Sequence, residues 1–435
     1  MNKKILRLAV PNILSNLSVP LLSSVDTAVV GHLSGVHFLG AIAIGSMIFN
    51  FVYWGFGFLR MGTTGMTAQA CGKKDNHQAS VVFYRSLLFA VSVGLFLILI
   101  NPFIADFSFG IINGSEQVET YARSYFDIRI FAAPATLSLY VFHGWFLGMQ
   151  NAKFPLLLTV ISNLLNIIFN LLFVYQFNMN SDGVALGTVA AQYIGLFTAI
   201  YLFRKKYSFY KLPFNLKELF RTDELKKYIK INFDIFLRTL MLIFVFSFFT
   251  AKSAEYNDDI LAANVILLQL WTIMSYGIDG FAFASESLVG KYFGSNNKDK
   301  LLKSIRYSFI WGVGLGFLIS VAYFVFDTYI IGIFTDNQIV IDLCLLYMGW
   351  TAAAPLIGSF SYIWDGIYIG ATATKTMRNT MLFCGLVLFL PIFYFTKDYL
   401  GNNALWLSLI IFMAARGLTL WMFARKSIYS LVYND

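Results

Sequence analysis

A carboxylate inside a long apolar run is the first feature of this sequence that could do chemistry. Asp26 sits in SSVDTAVVGHLS, residues 23–34, with apolar residues for a helix length before it and again soon after. In hydrocarbon a carboxylate is costly unless it takes up a proton or a partner, so such a group suits reversible proton or cation binding. Asn163, Asn166 and Asn170 are spaced three and four apart and share one helix face. Their amides could hold a carboxylate, supply oxygen ligands to an ion, or bind helices together. In the second half, Asp279 and Glu286 lie two helical turns apart on one face, and Asp365 stands in an apolar, aromatic stretch. These three could line a cavity and meet cations, or pair with Arg238. Asp234 and Arg238 have the four-residue spacing of a local helix ion pair. Arg129, ahead of Pro134, is expected to serve a carboxylate. Tyr53, Trp54, Trp271, Tyr276 and Phe283 could offer ring faces to cations, whereas Met61, Met66 and Met274 read first as core filling.

Several chemistries are excluded. Cys71, Cys344 and Cys384 are far apart, and His32, His37, His77 and His143 form no close set with them, so neither a disulfide framework nor a metal site is expected. No paired aspartates, Ser–His pair or metal cluster suggests an enzyme, and no resident cofactor is implied. The formal net charge of +9 could suggest nucleic acid. The basic residues, however, sit in loops between apolar runs, where membrane topology places them.

The elements that must position these residues are membrane helices. The chain has 435 residues, 58% hydrophobic and only 13% charged. A soluble domain normally carries about 25% charge, and a fold of this size could not hide so much apolar surface. Twelve spans are expected, near 8–32, 38–70, 80–105, 117–148, 154–176, 183–204, 228–252, 259–290, 301–325, 340–368, 377–396 and 402–425. The N-terminus and the even-numbered connections are basic, from Lys3, Lys4 and Arg7 to Arg425 and Lys426. The odd ones carry Asp106, Glu116, Asp182, Asp258 and Asp327. That alternation puts both termini in the cytoplasm of a multi-pass plasma (inner) membrane protein. Pro213 falls in the long sixth connection, where residues 214–229 could form a surface helix or a solvated loop. The expected organisation is two bundles, 1–204 and 228–435, joined by a linker at 205–227.

The halves repeat. Laying residue 39 on residue 261 and keeping the offset of 222 brings Gly72 onto Gly294, Ser86 onto Ser308, Tyr140 onto Tyr362, Gly144 onto Gly366, Gly148 onto Gly370 and Lys153 onto Lys375. Six spans per half make the repeats parallel about an axis along the membrane normal, as in transporters that rock two bundles around a central site. The glycines read as close packing between helices.

VDTAVVGHLSG (25–35), FGFLRMGTTGMTAQACG (56–72), NLLNIIFNLLFVYQFNMNSDGVALGTVAAQ (163–192), DGFAFASESLVGKYFG (279–294) and WDGIYIGATATKTMRN (364–379) resemble, as a set, the multidrug and toxic compound extrusion (MATE) family, and most closely its DinF-type branch. The resemblance implies an all-α membrane protein with two pseudo-symmetric six-helix bundles around a central cavity. It implies a secondary exporter of organic, cationic or lipophilic compounds, driven by influx of protons or sodium. Its coupling residues would be Asp26, Asn166, Asn170 and Thr188, with Asn163 beside them. Some members carry aspartate where this chain has Asn170, which shifts the expectation toward protons. Substrate or gating roles would fall to Asp279, Glu286, Asp365, Arg238, Asp234, Tyr53 and Trp271. The partners would be the bilayer and small organic substrates, with the protein a monomer. The alternative is a flippase of lipid-linked precursors in the same wider superfamily, which would need a strongly basic cavity.

Overall fold

The computed structural model describes residues 1–31, 36–111, 115–210 and 216–429, apart from the side chains of 21–31, Val36 and Leu216. Twelve long helices follow one another, designated α1–α12. These are α1 (Asn2–Gly31), α2 (His37–Lys73), α3 (Asn76–Leu99), α4 (Glu116–Gly148), α5 (Lys153–Gln176) and α6 (Asn180–Lys206). The second half holds α7 (Thr222–Ala254), α8 (Asp258–Gly294), α9 (Lys298–Val325), α10 (Gln338–Gly370), α11 (Thr374–Leu400) and α12 (Asn402–Tyr429). The lengths and apolar composition of α2–α12 suit membrane crossing among the described residues.

Three expectations of extent change. The first span starts six residues earlier, at Asn2 rather than 8. The third ends at Leu99, and Asn101–Ile111 is a separate helix. Among the described residues the sixth connection holds a single 3-10 turn, Ser208–Tyr210, and the short helix Leu216–Leu219, and Thr222 already opens α7. Its polar residues are used as anchors: buried Arg85 of α3 donates to the carbonyls of Leu219 (2.9 Å) and Glu218 (3.1 Å) and pairs with Glu224 at 3.3 Å. A buried guanidinium needs acceptors, and the end of a short helix supplies unpaired carbonyls.

The repeat is written into the backbone. Lys74 and Asn296, at the offset of 222, both take left-handed conformations (φ 58° and 49°), as do Gln150 and Thr372 (φ 63° and 53°). Asp75 caps α3 by accepting from the Gln78 amide at 2.9 Å, and its counterpart Asn297 caps α9 through Lys300 at 3.0 Å. Packing repeats too. A Cβ on Gly144 would stand 2.4 Å from the Arg60 carbonyl oxygen, and one on Gly366 would stand 2.4 Å from that of Ala282. The frame G-x-x-x-G thus lets α4 cross α2, and α10 cross α8, at backbone contact. One asymmetry matters below: α2 is interrupted at Gly55–Gly57, so Arg60 lies in the first turn of its second segment, whereas α8 runs unbroken for 37 residues.

The two bundles meet at the end that carries the basic connections. A Cβ on Gly72 would lie 2.0 Å from the Lys291 carbonyl oxygen, and one on Gly294 would lie 2.2 Å from that of Gln69. Gln69 Nε2 donates to the Gly370 carbonyl (2.9 Å), and Gln150 Nε2 to the Ser287 carbonyl (2.8 Å). The apolar core of the first bundle continues through this seam to Phe281, Leu288, Ile363 and Trp364. Toward the acidic end the same two helices part: Ala43 and Met47 of α2, and their counterparts Val265 and Gln269 of α8, are exposed. A separate core around Trp271, Phe249, Trp406 and Phe412 fills that half of the second bundle.

Gly144→Ala is expected to destabilise the folded protein by about 1–3 kcal/mol, since the methyl meets rigid backbone rather than a yielding side chain. Gly314→Ala, where nothing lies within 4 Å, is expected to be neutral or slightly stabilising. Thermal unfolding in detergent compares the two.

Candidate functional site

Three of the polar clusters in the spans hold most of the candidate residues. The first is in the amino-terminal bundle. Asn163 Nδ2 of α5 donates to Ser18 Oγ of α1 at 3.0 Å. Asn170 Nδ2 donates to Asn166 Oδ1 (3.1 Å), and Asn166 Nδ2 to Thr188 Oγ1 of α6 (3.0 Å). Thr188 in turn donates to the Val184 carbonyl at 3.0 Å. Asn166 and Asn170 are buried, and Gly187 makes room for them: a Cβ there would stand 2.2 Å from Asn170 Oδ1. The shared face of the three asparagines therefore joins α5 to α1 and α6. Asp26 falls on the helical backbone of α1, but its side chain lies outside the described residues.

The second cluster is inside the carboxyl-terminal bundle. Asp365 of α10 accepts from Arg238 of α7, and Arg416 Nη2 of α12 lies 3.2 Å from the same oxygen, so one carboxylate serves two guanidiniums. Arg416 is fully buried, with its guanidinium 5.4 Å from the ring centre of Tyr362 and 5.9 Å from that of Phe412. Tyr362 OH accepts from Trp271 Nε1 at 3.2 Å. The local pair expected between Asp234 and Arg238 does not form. Asp234 is taken by Arg378 of α11 (2.5 Å) and by Thr374 Oγ1 (3.0 Å). Partners on neighbouring helices outcompete the four-residue spacing: α10 brings the carboxylate of Asp365 to Arg238, and α11 brings the guanidinium of Arg378 and the hydroxyl of Thr374 to Asp234.

The third cluster crosses between the bundles. Arg60 of α2 forks onto Glu286 of α8, Nη1 to Oε2 at 3.1 Å and Nη2 to Oε1 at 3.4 Å. Its guanidinium carbon lies 3.8 Å from the ring centre of Phe283. Asp279, two turns along the same face of α8, is half-buried and has no ion pair among the described residues. No group of three or more metal-ligating side chains occurs among the described residues.

Arg129 departs from its expected role. It donates to Ser46 Oγ (2.9 Å) and Tyr125 OH (2.6 Å) and lies over Phe49 and Tyr125, with no carboxylate partner among the described residues. Hydroxyls and ring faces stand where an acid was expected. Tyr53 is buried and stacks on Phe49 with ring centres 5.5 Å apart, while Trp54 is exposed. Sequence reasoning missed Arg60 and Arg416. Both are arginines inside apolar spans, which alone marks a residue as needing a partner. Their partners lie on other helices and could not be read from spacing.

The family model described as MatE matches this chain twice, over residues 11–172 and 235–395. The chain belongs to the MATE family. The two matched segments are the two bundles' worth of repeat that the offset of 222 reveals. MATE proteins are transporters, not enzymes, and this MATE chain is 36% identical to DNA damage-inducible protein F of Escherichia coli over 96% of its length and 91% of the relative's. It is 23% identical to the probable multidrug resistance protein NorM of Thermotoga maritima, over 87% and 80% of the two chains. A solved MATE in the bent conformation superposes with a TM-score of 0.91 at 19% identity, covering 100% of this chain and 96% of the other. An outward-facing multidrug resistance MATE transporter superposes with a TM-score of 0.88 at 19% identity, over 99% and 96%. The fold is therefore twelve helices in two pseudo-symmetric bundles about a central cleft, and the protein is a multi-pass membrane transporter of the drug and toxin efflux type.

Asp365→Asn is expected to leave Arg238 and Arg416 buried without a counter-ion and to cost about 3–5 kcal/mol of stability, the usual penalty for stranding a buried charge. Adding Arg238→Met should recover part of that loss. A double-mutant cycle by thermal unfolding in detergent reads the coupling.

Proposed function

We propose that this MATE protein is a secondary active exporter of organic, cationic or lipophilic compounds, driven by proton influx with Asp26 as the coupling carboxylate and sodium as the competing ion. The observation that carries this reading is the division of polar groups between the bundles. Uncharged amide and hydroxyl contacts, Asn163 to α1 and Asn170–Asn166–Thr188 between α5 and α6, hold the helices next to α1, while the ion pairs Arg238–Asp365 and Arg378–Asp234 lie in the other bundle. A carboxylate on α1 would meet neutral hydrogen-bond partners there rather than a fixed cation, which leaves it free to exchange a proton. Ion loading would reseat α1, which packs against α8 through the Asn16 amide on the Tyr276 carbonyl at 3.2 Å.

Asp279, Glu286 and Asp365, with Arg238, Asp234, Tyr53 and Trp271, are assigned to substrate contact and gating. Residues 1–204 and 228–435 would move as the two rocking bodies, with 205–227 as connector. The protein would act as a monomer in the plasma (inner) membrane of a bacterium, with both termini cytoplasmic. In that orientation the closed seam is cytoplasmic and the cleft opens outward. A flippase for lipid-linked precursors would need unpaired basic charge for a diphosphate. Here the arginines of the second bundle and the seam face three carboxylates, which favours export of compounds that tolerate or carry positive charge.

Dye efflux from proteoliposomes decides the matter. With an imposed proton gradient, the unsubstituted chain should expel an organic cation, and Asp26→Asn should lose gradient-driven efflux by about a hundredfold or to background. Efflux driven only by sodium would reassign the ion, and full coupling in Asp26→Asn would remove Asp26 from the mechanism.

A further inference from the structure

The contacts of Arg60 are those of a bound ligand. Its guanidinium is held by a forked carboxylate, Glu286, and by the face of an aromatic ring, Phe283, both supplied by the opposite bundle. A planar, delocalised cation is the species that such a pair recognises: the fork matches two parallel N–H donors, and the ring quadrupole attracts the positive face. Glu286 is all but fully buried, its side chain 2% exposed, whereas that of Arg60 is 14% exposed. The carboxylate is thus enclosed, and its occupant is the more accessible of the two.

We propose that Glu286 and Phe283 form a recognition subsite for planar organic cations, amidinium or guanidinium groups above all, which Arg60 occupies until a substrate displaces it. Asp279, Phe283 and Glu286 stand at i, i+4 and i+7 and make one stripe of carboxylate, ring and carboxylate on α8. The cleft opens toward Asp279, so an entering cation meets this half-buried carboxylate first and the Arg60-filled subsite at the bottom. On the same bundle as Arg60, His143 of α4 has a buried Nε2 without a hydrogen-bond partner among the described residues, and we assign it as the acceptor for the displaced guanidinium. Displacement also removes an ion pair that ties α2 to α8 just above the glycine seam, so filling the subsite and loosening the seam become one event. Exchange of one cation for another keeps Glu286 neutralised throughout, which avoids the cost of an unpaired buried charge.

This subsite rests on the proposed export of organic cations, but its test needs neither a gradient nor Asp26. Equilibrium binding of the fluorescent aromatic diamidine DAPI is measured on the full-length protein in detergent, with folding checked by gel filtration. Removing a competing internal ligand should tighten binding, so Arg60→Ala and Arg60→Gln are expected to bind DAPI about tenfold more tightly than the unsubstituted chain. Adding Glu286→Gln or Phe283→Ala should abolish that gain, and millimolar guanidinium should compete with DAPI in Arg60→Ala. Binding that is unchanged or weaker in both Arg60 variants, or a gain that survives Glu286→Gln, overturns the proposal. If neither Arg60 variant folds, Phe283→Ala in the otherwise unsubstituted chain decides: weaker DAPI binding supports the subsite and unchanged binding refutes it. Loss of gradient-driven efflux with intact DAPI binding would count against the export reading alone.

Discussion

Backbone approach between α2 and α8 is the constraint on which the rest of the molecule depends. Two long helices can touch carbonyl to Cα only where side chains are absent, and Gly72 and Gly294 provide that at matched positions, each against the other helix's backbone. In a bilayer no hydrophobic force draws helices together, so close packing and hydrogen bonds must do so. The seam supplies both, with Gln69 and Gln150 each reaching across to carbonyls of the opposite bundle. Fixing the bundles at one end is what leaves a cleft at the other.

Charge placement follows from that geometry. Each buried or half-buried guanidinium of the second bundle and the seam is met by a carboxylate brought by a different helix: Glu286 for Arg60, Asp365 for Arg238 and Arg416, Asp234 for Arg378. Pairs between helices of one bundle hold that bundle as a unit. The pair between bundles can persist only while the seam is closed. The same interaction that is structural at Asp365 therefore reports conformation at Glu286. By contrast, the amino-terminal bundle holds its polar cluster together without charge among the described side chains, through amides and hydroxyls whose hydrogen bonds are shared among three helices.

Much of the fold was legible because membrane crossing imposes a length and a composition that few other structures need. The offset of 222 was legible because glycines at helix crossings and turn residues at helix ends tolerate little substitution in space, and the same pairs recur as backbone contacts and left-handed turns. Of the three asparagines singled out by their spacing, two bond to each other and on to α6, and the third bonds to α1. Spacing failed where partners come from elsewhere in the chain. Asp234 and Arg238 look like a local pair but are drawn apart by α10 and α11, and Arg60 and Arg416 have no suggestive neighbour in sequence at all. Arg129 meets hydroxyls and rings, contacts no charge count would suggest.

The sequence by itself determined what each segment must be: which stretches cross the membrane, that the two halves are copies, and which polar residues hydrocarbon would force to find partners. Those properties belong to single helices and to the cost of moving groups out of water. Which partner each group takes was decided only in the tertiary structure. Pairing depends on how twelve helices are rotated and crossed, and a crossing set by a bare glycine can bring Arg60 to Glu286 across more than two hundred residues. For that reason the candidate substrate groups were visible in the chain, while the occupied cation subsite between the bundles was not.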